Sequence, residues 1–110
     1  MAHKQVDAMM IVNDHRHDVL IRMMGEILGE EIPPRDRHEK WVWARTMVAY
    51  QMRKEGYTLM NIAAQMGMHH SAIIHLLNKM QNALDMPIMY QDVLPIWFDF
   101  QNKMKNDIYD

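Results

Sequence analysis

Hydrophobic positions recur along this chain at helical rather than strand spacing. Leu20, Met23, Met24, Ile27 and Leu28 form an i, i+3, i+4, i+7, i+8 stripe, which predicts an amphipathic helix beginning after a cap at Asn13 or Asp14. Residues 29–34 end it, because Pro33-Pro34 cannot continue a helix and restricts Ile32. Trp41, Ala44, Val48 and Met52 predict the next helix over about 38–54, broken by Gly56. Thr58 is placed to cap a short helix carrying Leu59, Ile62, Ala63 and Met66, closed by Gly67. A further helix starts near His69 or His70, with Ile73, Leu76, Leu77, Met80 and Leu84 on its apolar face, and stops at Met86-Pro87. Asp92 and Pro95 suit the first turn of a last helix with Leu94, Trp97, Phe98 and Gln101 in register. Val6, Met9 and Met10 suggest one more short helix at the start. No stretch keeps period two for more than a few residues. The fold class expected is therefore all-α: one compact domain over 1–110 of five to six helices, with N-terminal helices in 1–34, a core unit in 38–84 and a C-terminal helix in 88–110.

Composition narrows the picture. The chain has 110 residues, 49% of them apolar, enough for one core. Its fourteen methionines fit irregular core gaps, and an adaptable partner-binding face is the alternative. No apolar run approaches eighteen residues, so no membrane partner is expected. The opening MAHKQVDAMM lacks the basic start and long apolar stretch of a secretory signal. Without cysteine there are no disulfides or thiolate metal sites, and a cytoplasmic setting is expected.

The net charge of −2 is unevenly spread. Residues 1–34 carry −3, residues 35–80 carry +4 and residues 81–110 carry −3. A basic middle between acidic flanks is what a localised phosphate-facing surface would look like, and solvated scatter is the other reading.

The segment TLMNIAAQMGMHHSAIIHLLNKM, residues 58–80, has the parts of a helix-turn-helix. Such a unit needs a small residue where two helices cross, a turn residue tolerant of positive φ, and apolar anchors for the second helix. Ala63, Gly67 and Ile73 fill these places, with Ile62 and Leu76 completing the inner cluster. That spacing turns His69, His70, Ser71, His75, Asn78 and Lys79 away from the core, on the part of a recognition helix that enters a major groove. Ser71 and Asn78 can hydrogen-bond base edges or phosphates, and Lys79 suits a phosphate. Arg37, Lys40, Arg45 and Lys54 are the flanking basic candidates. The expected partner is double-stranded DNA, and a homodimer would supply the second half-site.

Arg45-Thr46-Met47-Val48-Ala49-Tyr50, Leu59-x-x-Ile62, Gly67, His70-Ser71, Ile73, His75, Lys79 and Met80 together resemble the DNA-binding C-terminal domain of the bacterial replication initiator DnaA. The fold of that domain is grouped with the Trp repressor. The resemblance covers roughly residues 38–84. It implies that Arg45 lies where the family sends an arginine toward the minor groove, and that His70 and Ser71 lie at major-groove contacts. The family's Gly-Arg-Asp before the histidine is here Gly67-Met68-His69, about one residue short, so its arginine and aspartate are absent. There is no G-x-x-x-x-G-K-[ST] loop, so the resemblance does not extend to an ATPase.

Other chemistries have less to stand on. His15-x-His17 and His69-His70-x-x-x-x-His75 are the histidine clusters, but neither has the i, i+3 or i+4 spacing that puts two ligands on one metal. No nucleophile elbow, phosphate loop or paired-carboxylate constellation is visible, so no enzyme, cofactor or small-molecule substrate is expected. The rival is a protein–protein interaction or structural module in which the helix-turn-helix is only a scaffold. Residues 88–104 favour it, because Tyr90, Ile96, Trp97, Phe98 and Phe100 exceed what one helix face needs. They pack across the core from both sides, form a surface for a second copy, or meet a foreign partner.

Overall fold

The computed structural model describes residues 13–109. Within them lie α1 (Arg16–Leu28), α2 (Glu39–Lys54), α3 (Leu59–Met66), α4 (His70–Asp85), a 3-10 turn (Pro87–Tyr90) and α5 (Leu94–Tyr109). No strand occurs among the described residues, and the class is all-α. The expected helix around Val6, Met9 and Met10 lies outside the described residues. No helix of the described residues is long and apolar enough to cross a membrane.

α2 is the spine. Met47, Val48, Ala49 and Met52 are fully buried and Ala44 nearly so, because α1 and α4 both pack on α2. The small side chains at 44 and 49 let those neighbours approach, while the methionines fill what the crossings leave open. Met23, Met24, Met80 and Met104 are also buried, and Met66 and Met68 pack against the same cluster. Core filling is thus the main use of methionine among the described residues. Fully burying one such side chain contributes about 1.5–3 kcal/mol.

α1 carries its stripe as expected, with Leu20, Met23 and Met24 buried and Ile27 and Leu28 against the core. Its start is built by two short turns: the Asn13 carboxamide oxygen accepts from the His15 N–H at 3.3 Å, and Asp14 Oδ1 accepts from the Arg16 N–H at 3.1 Å. Gly25 sits in mid-helix for a packing reason. A β-carbon there would come within 2.9 Å of the Glu30 carbonyl oxygen, where the chain folds back after the helix.

α5 corrects the expected register. Trp97, Leu94, Phe100 and Met104 face inward, with Phe100 fully buried, while Phe98 is 55% exposed. Once Trp97 points inward, positions 94, 100, 101 and 104 follow it at three, four and seven residues, and 98 turns outward. Tyr50 and Phe100 both meet the Trp97 ring edge-on, at centroid distances of 5.6 and 6.0 Å.

Candidate nucleic-acid interface

α3 and α4 are joined by a three-residue turn whose every bond has a sequence cause. The Thr58 hydroxyl accepts from the Asn61 N–H at 3.1 Å, capping α3. At the other end Gly67 adopts φ 66°, the Met68 N–H reaches the Ala63 carbonyl at 2.9 Å, and the Gly67 N–H reaches Ala64 at 3.4 Å. This paired closure needs a left-handed residue after the helix, which glycine supplies without a β-carbon penalty. Ile62 and Ile73 are fully buried and Ala63 is 6% exposed, so the crossing rests on the residues whose spacing suggested it.

His69 caps α4. Its Nδ1 accepts from the Ser71 N–H at 3.2 Å and lies 2.8 Å from Ser71 Oγ. Accepting the N–H uses the Nδ1 lone pair. The His70 ring stacks on it at a centroid distance of 4.4 Å. Beyond this end, His70, Ser71, His75 and Asn78 are all exposed and, at three- and four-residue spacing, share the outer face of α4. Gln81 and Asn82 continue the exposed surface toward the C-terminus, where Gln81 accepts from the Tyr50 hydroxyl at 2.9 Å.

The basic candidates do not gather on that face. Lys79 folds back over the Trp43 ring, 4.5 Å from its centroid, and lies 3.6 Å from Glu39. Lys40 pairs with Glu30 and lies over Trp41. Arg37 is exposed beside them, before α2. Lys54 is at the opposite end of α2, about 21 Å along the axis from Lys40, reaching Gln101 at 3.4 Å and the Trp97 ring. Arg45 is turned into the loop ahead of α2: Nη1 donates to the Pro33 carbonyl at 3.2 Å and Nη2 to the Asp36 carbonyl. These two acceptors bracket Arg35, a non-glycine residue at φ 65°. The resemblance assigns Arg45 a groove contact; in the free protein its fork secures a strained loop instead. The same loop ends in an Asp36 carboxylate that accepts from the His38 N–H at 2.9 Å.

The other ionic contacts lie elsewhere. Arg16 grips Glu55 with both ends of its fork, at 2.7 Å each. The Tyr57 hydroxyl donates to Asp14, and burial together with that bond pushes Tyr57 up to about 12. Among the described residues no three His, Cys, Asp or Glu side chains come together as metal ligands.

One outward residue escaped the sequence reading. Ile74 is 40% exposed on α4 between His70 and Asn78. The available signal was that the stripe Ile73, Leu76, Leu77 and Met80 leaves Ile74 one position off it. No protein-family model, curated protein or solved structure matches this chain.

Proposed function

We propose that this chain binds double-stranded DNA sequence-specifically through α3, the Gly67–His69 turn and α4, as an accessory factor in transcription or replication and in a cytoplasmic setting. The observation that carries the reading is the outer face of α4. It presents His70, Ser71, His75 and Asn78 to solvent at successive turns, on a helix anchored from behind by Ile73 and Met80. Side chains that can donate and accept hydrogen bonds in this way can discriminate base edges, whereas phosphate contacts mainly fix register. The likeness of residues 38–84 to the DnaA C-terminal domain supports the same reading. Selection of bound sequences from a random duplex pool tests it. A defined site is expected, and His70→Ala and Asn78→Ala should each change the preferred bases within it. Recovery of no enriched sequence contradicts the claim of specificity.

A second reading, a helical interaction module, has its own observation. Ile88 is 81% exposed, Met89 71% and Phe98 55%, and apolar side chains exposed to this extent mark partner surfaces when they adjoin. A second copy of the chain is one such partner, and it would also supply the second half-site of a DNA complex. Sedimentation of wild type against Ile88→Asp separates the cases: dissociation of a dimer by the aspartate supports self-association.

A further inference from the structure

We infer that Ile74 is a specificity-determining residue that recognises thymine through its 5-methyl group. The inference rests on the proposal that α4 is the groove-facing helix, and goes beyond it by naming a base and the atom read.

Ile74 is the large apolar side chain on an outer face that is otherwise polar. His70 and Ser71 lie one turn before it and Asn78 one turn after, all exposed. Its neighbour Ile73 is fully buried and anchors the helix from the other side. Ile74 adds little to that core at 40% exposure. Helix propensity does not account for it either, because β-branched residues rank below Ala, Leu, Lys or Glu at an exposed helical position. The residue also sits in the second turn of α4, the N-terminal half that a recognition helix presents to base edges.

In the major groove thymine offers one acceptor and one methyl, and the methyl is the only apolar feature that any of the four bases displays there. An isoleucine flanked by hydrogen-bonding side chains is matched to that feature. Removing one buried methyl group lowers affinity about fourfold.

The test uses the full chain and the duplex recovered by selection, with each thymine replaced in turn by uracil, which lacks only the methyl. For wild type, one or two positions should show about fourfold weaker binding on replacement. Ile74→Ala should bind the thymine and uracil duplexes equally at those positions, while Ile74→Val, which keeps a branched β-carbon, should retain most of the difference. The helical circular dichroism of both variants should match wild type, since the side chain is partly exposed. An equal thymine-to-uracil ratio in wild type and Ile74→Ala at every position overturns the inference and leaves the DNA-binding proposal standing. A wild type that binds no duplex at all overturns both.

Discussion

Arg45 and Pro33 are joined across twelve residues by a hydrogen bond from guanidinium Nη1 to backbone carbonyl, 3.2 Å long. With the second bond to the Asp36 carbonyl, it holds the loop that carries Arg35 in a left-handed conformation. A hydrogen bond to a charged group contributes about 1.5–3 kcal/mol, and two bonds made by one partly exposed guanidinium contribute less than twice that. Arg45→Ala should therefore lower unfolding stability by roughly 2 kcal/mol. Arg45→Lys should recover less than half of that, since a point charge cannot fork between two carbonyls. Urea unfolding of the two variants measures this. Wild-type stability in Arg45→Ala would show that the side chain is free for another role.

Thr46, one residue on, is fully buried, and its hydroxyl has no hydrogen-bond partner among the described residues. Desolvating an unpartnered hydroxyl costs about 1–3 kcal/mol. Thr46→Val keeps the shape and removes the polar atom, so it should raise stability by about 1 kcal/mol. Thermal unfolding decides it, and a destabilised valine variant would mean that the hydroxyl is satisfied.

The turn between α3 and α4 should be sensitive at both of its special residues. Gly67→Ala places a β-carbon at φ 66° and should cost about 1–2 kcal/mol. His69→Ala removes the cap on the Ser71 N–H and should cost about 1 kcal/mol, whereas His69→Asn should restore it. Chemical denaturation reads both. Equal stability of the His69→Ala and His69→Asn variants would contradict the capping role.

Acid should loosen the junction of α1 with α3. Burial would raise Asp14 and Glu55, but hydrogen bonds from Tyr57 and Arg16 outweigh it and hold both below the usual carboxylate range. Burial holds His17 below the usual imidazole value, against Asp18, which acts to raise it. In each case the unfolded chain takes up its proton first as pH falls, so every sign agrees. Stability should decline below about pH 6.5 through His17, then again below about pH 4 through the carboxylates. His17→Phe should flatten the upper part of this profile and leave the lower part. Thermal unfolding between pH 7.5 and 3 checks it. An unchanged upper limb in His17→Phe would assign that limb to another group.

How much of this was legible in the residues follows from what each signal depends on. Thr58, Gly67 and Ile73 act locally, through a cap, a left-handed turn and a heptad-like stripe, so their roles appear in the spacing alone. The boundaries of α2 and α4 follow from Gly56, Gly67 and Pro87 for the same reason. Arg45 and Lys79 were unreadable because their partners come from loop carbonyls and from α2, contacts set by tertiary packing. The aromatic run 96–100 failed differently: inside and outside differ by one residue of register, and only docking on α1 and α2 decides that Phe100 enters and Phe98 leaves. Ion pairing also changed the meaning of the basic middle segment. Lys40 and Lys79 face glutamates, so its formal charge overstates the cations that stand ready for phosphate.

If the chain binds duplex DNA, its affinity falls with salt as bound phosphates release their counterions. Fluorescence anisotropy of a labelled duplex, titrated with the protein between 50 and 200 mM salt, gives log K against log salt. With about four to five phosphates neutralised, the slope should be roughly −4. A flat line, or no binding at the lowest salt, would contradict DNA binding and favour the interaction reading that the exposed Ile88, Met89 and Phe98 support.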